Sequence, residues 1–381
     1  MKKHLFSLMS LLIGLSLGAC GGGPGGSTGG STGSQGTVSG YVFSYQNPGG
    51  GYPGELFSSP VYSTGIIGLE SVVATYESTA SATSDNSTMA SVNVSGSEYI
   101  FIGTENGNIL NSYVVTGSGI SVQLLSTLSN VCSAGGVVAL AVLPAGNVLY
   151  AGCGNGDIYQ VSVNSGYLTK GSVVSTSGTT VLSMAINTAT GYLLVNTYDS
   201  PTSSYYYAFS IGSGGALTPY ANISGISGNT RHLVGNPNTA NGNFFYGGSV
   251  GNGYLFSVGS GSITATPISG NSGYPNLYPV FVDAAGSYFY MVESDNNNTE
   301  FNRYSIGPSG GLTYAGAISL PTYLSGKGVT TDVGRGIFET NISTLIENFN
   351  GYTCLFTISA NGVSLVGNGG TTGLGLGYLG M

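Results

Sequence analysis

Runs of about four to seven apolar and aromatic residues, flanked by Gly, Asn, Ser or Thr, succeed one another along most of this chain. Runs of that length read as strands, because a helix shows ten or more residues with a 3.6-residue period. The pair Asn-Gly recurs at Asn106-Gly107, Asn155-Gly156, Asn252-Gly253 and Asn350-Gly351, at intervals of 49, 97 and 98 residues, the last two being double periods. Asn-Gly between apolar runs marks a tight hairpin, since a type I′ turn needs positive φ at both central residues. At the two skipped phases stand longer polar turns, Asp199 to Ser204 and Asp295 to Glu300.

The runs around these turns repeat as well. After each turn comes one strand, as in Ile109 to Val115, Ile158 to Val163, Tyr206 to Ile211 and Phe301 to Ile306. A seventh copy of this strand is Tyr41 to Tyr45. Before the turn lies an aromatic run such as Tyr99 to Gly103 or Tyr288 to Val292, and before that another, for example Val137 to Leu143. A Gly-containing turn and a fourth strand follow, as in Gly214-Gly215-Ala216-Leu217-Thr218 and Gly310-Gly311-Leu312-Thr313. Four antiparallel strands in about 49 residues make one propeller blade. The predicted fold is all-β, a seven-bladed β-propeller of four-stranded antiparallel blades over residues 38–381. A β-solenoid or a sandwich is the competing architecture, but a sandwich does not hold one turn in phase over about 250 residues. Closure is expected to join Leu374 to Leu379 with Tyr41 to Tyr45. Residues 47–88 then either supply a missing strand or form an insertion.

Composition narrows the partners. Of 381 residues only 6% are charged, with 7 Lys and Arg against 15 Asp and Glu, and Gly 66, Tyr 27 and Phe 14 supply much of the rest. So few cations cannot neutralise a run of phosphates, so nucleic acid is excluded as a partner. Hydroxyl and amide groups must build the surface, and these stay hydrated whatever the pH; such a surface suits an acidic exterior.

The first residues carry an address. Lys2 and Lys3 precede an apolar run from Leu5 to Leu17, too short to span a bilayer as a helix. It ends in Leu17-Gly18-Ala19-Cys20, which resembles the lipobox of bacterial lipoproteins. The resemblance implies cleavage after residue 19, acylation of Cys20 and attachment to membrane lipid. Gly21 rather than Asp after the Cys implies, by the same resemblance, the outer membrane where two membranes exist. Residues 20–37 form a Gly/Ser/Thr-rich tether with a reach of roughly 20 to 25 Å. The expected location is extracytoplasmic, in the periplasm or at the cell surface. An ordinary signal peptide cut after Ala19 is the alternative.

Several blades resemble a known family. Tyr192-Leu193-Leu194-Val195-Asn196-Thr197, Tyr207-Ala208-Phe209-Ser210-Ile211 and Gly215-Ala216-Leu217-Thr218 look like the blade of lactonase-type propellers, the 6-phosphogluconolactonase-like and YVTN-repeat group. These residues build a blade, so the resemblance implies a fold and leaves the chemistry open.

Candidate chemistry is sparse. In such a fold Arg231 and His232 open an inner strand, while Asp332 and Arg335 stand in the loop between the sixth and seventh blades, so all four are expected at one channel mouth. Two arginines there would hold a carboxylate or another anion, and a His with an acid nearby could do acid–base work on an ester. The plainer reading gives Arg231 a stray carboxylate and His232 a carbonyl. No Gly-x-Ser-x-Gly elbow followed by a His occurs, so a serine hydrolase is not indicated. Asp295 to Glu300 lacks the central Gly of a calcium loop, and without Trp the blades lack the motif of quinone-dependent propellers. No metal or cofactor is expected. The favoured role is non-catalytic binding or scaffolding of a protein, peptide or sugar, with a lactonase-like hydrolase of a small lactone or ester as the alternative. Among the cysteines, Cys132 and Cys153 can pair if the chain folds back by about six residues, which would leave Cys354 as a buried thiol.

Overall fold

The computed structural model describes the chain from Thr37 to Gly380 except 47–53, 64–70, 77–87, 106, 117–120, 178–179, 201–202, 228–231, 238–242, 250–251, 284, 295–298, 319–336, 340–343, 350–351, 360–361 and 371–374. The described strands form seven four-stranded antiparallel sheets.

The first blade combines both ends of the chain. It orders β28 (Gly375–Gly380), β1 (Val38–Gln46), β2 (Gly54–Tyr62) and β3 (Ser71–Tyr76). The second holds β4 (Met89–Val94), β5 (Ser97–Thr104), β6 (Ile109–Thr116) and β7 (Ser121–Ser129). The third holds β8 (Val137–Val142), β9 (Val148–Cys153), β10 (Asp157–Asn164) and β11 (Tyr167–Ser175). The fourth is β12 (Val181–Asn187), β13 (Tyr192–Ser200), β14 (Ser203–Ile211) and β15 (Leu217–Ser227). The fifth is β16 (His232–Gly235), β17 (Phe244–Ser249), β18 (Asn252–Gly259) and β19 (Ser262–Ile268). The sixth is β20 (Asn276–Val282), β21 (Tyr288–Ser294), β22 (Thr299–Ile306) and β23 (Leu312–Ile318), and the seventh β24 (Ile337–Glu339), β25 (Thr344–Phe349), β26 (Tyr352–Ser359) and β27 (Gly362–Gly370).

The first strand of each blade lines the ring. β4 touches β8, β8 touches β12, β12 touches β16 and β16 touches β20, while β24 touches β28 and β28 touches β4. This is the arrangement of a seven-bladed β-propeller. Burial follows radial position. β9, second in its blade, is buried along its whole length, whereas the outer β11 is largely exposed. A strand with neighbouring blades on both faces needs a continuous apolar run, which Val148-Leu149-Tyr150-Ala151 provides.

Large side chains fill the space between blades. Tyr150 of the third blade packs with Met184, Leu193 and Phe209 of the fourth. Tyr206 of the fourth lies 4.2 Å, ring centre to ring centre, from Phe256 of the fifth. Tyr246 of the fifth stacks on Phe289 of the sixth at 4.5 Å. Such aromatic pairs add about 0.5 to 1.5 kcal/mol each beyond the area they bury.

The outer strands are unusual in charge. Lys170 is the one charged residue in β3, β7, β11, β15, β19, β23 and β27 together. Six of these seven carry an extra residue against the third strand of the blade: Val73, Leu125, Tyr220, Ala315 and Val366 are the extra residues in five, and in β11 residues 171 and 172 oppose Gln160. β19 pairs without a bulge and contains Pro267 instead. Bulges and proline both spoil an edge for further pairing, so they do here what charges do elsewhere.

Closure joins Tyr41 to Leu379 across β1 and β28, within the segments the sequence pairs. Three details differ from the sequence reading. Tyr41 to Tyr45 is the second strand of its blade and not the third, because β2 and β3, drawn from residues 54–76, supply the third and fourth. Asn252-Gly253 is the start of β18 rather than a turn, since Ser249 pairs with Asn252 and the hairpin closes two residues earlier. The turn placed at Asp199 to Ser204 is shorter, with Ser200 pairing Ser203 after a bulge.

Candidate functional site

The strand order brings two kinds of connection to one end of the ring: the hairpins between second and third strands, and the links from each outer strand to the next inner one. His232 stands at this end. It opens β16, pairs with Gly248 of β17, and is only 6% exposed. Its ring meets Tyr278 of β20 edge-on, 5.5 Å between centres and 85° between planes. An imidazole packed between two inner strands is part of the wall between blades five and six. Arg231, Asp332 and Arg335, the other three residues expected at the mouth, lie outside the described residues, as does Cys20.

Around the third blade the same end is tied down. Cys132, in the link between β7 and β8, is bonded to Cys153 at the end of β9, with S–S 1.98 Å. A bulge between Val137 and Ala139 puts Cys153 opposite Val137, where uniform pairing places it opposite Val138. The link turns back through Gly135 and Gly136. A Cβ on Gly136 would lie 1.4 Å from the Glu105 carbonyl oxygen, so that position admits only glycine. Asn108 braces the link from the second blade, donating to the Cys132 carbonyl at 2.6 Å and accepting from its N–H at 2.7 Å. Cys354 falls in β26, where it pairs with Glu347.

Next to the disulfide, Asp157 accepts from Ser133 and Asn155 at 2.8 Å each and from Ser175 at 2.5 Å. Burial alone would raise its pKa. The three hydrogen bonds and the field of Lys170 outweigh that and hold the carboxyl below the ordinary aspartate range.

The sixth blade carries a second tied carboxylate that sequence reasoning missed. Glu293 near the end of β21 is fully buried. It accepts from the Ser272 backbone N–H at 2.9 Å, from the Ser272 hydroxyl at 2.5 Å and from the Tyr304 hydroxyl. Tyr304 in turn accepts from the Asn271 N–H at 2.8 Å. Burial would raise the Glu293 pKa, but the Ser272 and Tyr304 bonds, with help from Asn302, keep it below the usual glutamate range. Burial pushes the Tyr304 hydroxyl far upward, so it remains a donor. A carboxylate in this state is saturated with donors and is a poor proton acceptor near neutral pH. The Asp295 to Glu300 turn is described only at its flanks, where Ser294 pairs with Thr299 and Glu300 accepts from Asn302 at 3.3 Å. Among the described residues no group of three His, Cys, Asp or Glu side chains stands close enough to hold a metal ion.

No family model matches the sequence, and no curated protein matches it. Solved structures do match. A candidate 6-phosphogluconolactonase from Bacteroides fragilis superposes with a TM-score of 0.63 at 13% identity, covering 90% of this chain and 98% of that one. A protein from Lactobacillus plantarum gives 0.62 at 13% identity, covering 90% and 100%. A chain of the COPII outer coat vertex on membranes gives 0.55 at 11% identity, covering 76% and 77%. The fold is therefore that of seven-bladed propellers with the shape of 6-phosphogluconolactonase-like proteins. At such identities the likeness extends to shape alone.

Proposed function

We propose that this chain is an extracytoplasmic propeller, held to membrane lipid through acylated Cys20, that acts as a non-catalytic binding or scaffold module. The observation that carries this reading is His232. It is the only histidine after residue 4, it is buried, and its ring packs edge-on against Tyr278. An aromatic, hydroxyl-rich and weakly charged rim suits a protein, peptide or sugar partner. Arg231 and Arg335 are the cations proposed to hold an anionic group of such a ligand, beside Asp332.

A lactonase-like hydrolase is the second reading, favoured by the candidate 6-phosphogluconolactonases among the structural neighbours. A panel of lactones and esters assayed with wild type and His232→Ala separates the two. The scaffold reading expects no turnover with either protein, and turnover abolished by the substitution overturns it. For the anchor, Cys20→Ser is expected to lose acyl labelling and leave the membrane fraction; retention there after a high-salt wash defeats that assignment.

A further inference from the structure

The disulfide of the third blade and the carboxylate cluster of the sixth occupy the same place in the repeat. Val137 pairs with Cys153, and Cys132 lies five residues before Val137. Leu277 pairs with Glu293, and Ser272 lies five residues before Leu277. The third-strand neighbours correspond too, with Gly152 opposite Ile158 in one blade and Val292 opposite Phe301 in the other. In both blades the link arriving from the preceding blade is therefore fastened to the end of the second strand. One fastening is covalent, and the other depends on the charge of a carboxylate.

We propose that Ser272 and Glu293 form a proton-operated latch on the segment from Ile268 to Asn276, the acid-sensitive counterpart of the Cys132–Cys153 bond. The segment sits over the carboxylate so closely that a Cβ on Gly270 would lie 2.3 Å from the Glu293 Oε2. Ser272 itself is half-exposed, so no apolar packing replaces the hydrogen bonds once they are lost. Among the described residues, the groups that hydrogen-bond Glu293 are neutral at pH 7: Ser272 and the backbone from the link, and Tyr304 and Asn302 from β22, while Glu300 stands directly opposite it in the β21–β22 ladder. Glu300 also accepts from Asn302, and beyond Tyr304 stands Tyr314, with its ring 5.8 Å away. No cation is among these partners, so protonation of Glu293 leaves no ion pair to hold the link. A protonated carboxyl gains a donor that confronts the Ser272 and Tyr304 donors, and bonds assisted by charge become ordinary ones. The latch leads into β20 and hence into Tyr278, whose ring covers His232. Its release loosens the wall of the ring at that point.

Hydrogen exchange read by mass spectrometry, corrected for intrinsic rates and taken from pH 6 to pH 3, tests this. For wild type, protection of residues 269–277 is expected to fall by at least about tenfold as the pH drops below the glutamate range, since bonds to a charged group are at stake. Residues 131–137, where Ser133 also bonds to Asp157 but the disulfide holds at every pH, are expected to lose clearly less protection than 269–277 over the same range. Glu293→Gln is expected to lose about tenfold in the 269–277 segment at pH 6 and then to show no pH dependence. The double variant Ser272→Cys with Glu293→Cys is expected to cross-link in air and to protect the segment at every pH. Protection of 269–277 that is flat with pH in wild type overturns the proposal, as does a Gln variant matching wild type at pH 6. Failure of the two cysteines to cross-link overturns the equivalence with the third blade. If Glu293→Gln does not fold, Ser272→Ala replaces it, with reduced protection at pH 6 expected and unchanged protection decisive against the latch.

Discussion

The Tyr150 hydroxyl donates to the Gly215 carbonyl at 2.7 Å, fastening the third blade to the β14–β15 turn of the fourth. Tyr246 makes the same bond from the fifth blade to the sixth, with Gly310 at 2.9 Å. Both acceptors are glycines at positive φ, 79° and 76°, a backbone shape that presents the carbonyl at little steric cost to glycine. Removing either hydroxyl leaves a buried carbonyl without its donor while the ring still packs. Tyr150→Phe and Tyr246→Phe are each expected to cost about 1 to 2 kcal/mol, read from urea midpoints. The double variant should lose the sum, because the two bonds lie in different pairs of blades. A double loss no greater than either single one would contradict the assignment.

Cleaving the disulfide removes a constraint across a separation of 21 residues. A loop of that size contributes about 3 kcal/mol in the chain-entropy account. Cys153→Ser is expected to lower stability by about that amount, and a reductant should lower wild type towards the variant while leaving the variant unchanged. Equal urea midpoints for the two proteins without reductant would show the bond to be energetically idle.

Asp157 sets an acid limit on the second and third blades. Its folded pKa lies below that of an unfolded aspartate, so it stabilises the fold above the aspartate range and ceases to do so as the pH falls through the folded value. The wild-type thermal midpoint is expected to drop between about pH 5 and pH 3. Asp157→Asn should flatten part of that slope. Identical slopes in the two proteins would remove Asp157 from the account.

Edge protection by bulges predicts a specific weak point. β19 lacks a bulge and relies on Pro267, which is exposed and withholds an N–H from any strand that approaches. Pro267→Val is expected to keep the fold and to acquire concentration-dependent self-association in sedimentation velocity. Leu124→Lys on the already bulged β7 should sediment as wild type does. Sedimentation of the Pro267 variant identical to wild type at high concentration would mean that another feature guards this edge.

The ring was legible because one turn chemistry recurs in phase, and phase survives even where the turn does not. Asn252-Gly253 kept the period although the hairpin itself closes earlier, between Ser249 and Asn252. The bulge that shifts Cys153 by one partner has no mark in the residue pattern, since Val137, Val138 and Ala139 are all apolar. The position of β1 was misread because Tyr41 to Tyr45 has the aromatic character shared by second and third strands, and only pairing on both sides separates them. Of the expected mouth residues, His232 was placed correctly at the start of an inner strand, but burial by Tyr278 depends on the next blade. Glu293 escaped notice because a lone acid in an apolar strand has no spacing signature. A signal did exist: the same interval along the chain separates Cys132 from Ser272 and Cys153 from Glu293.

The closing blade has a mechanical consequence. β1 lies between β28 and β2, with Tyr41 opposite Leu379 on one side and Pro60 on the other. A tug transmitted through the residues ahead of Val38 therefore acts along the length of a strand clamped on both flanks. To yield, β1 must slide past two neighbours at once, rupturing both ladders in shear rather than unzipping rung by rung. A ring built this way resists a pull applied ahead of Val38 with its strongest geometry, and β28 supplies half of the grip.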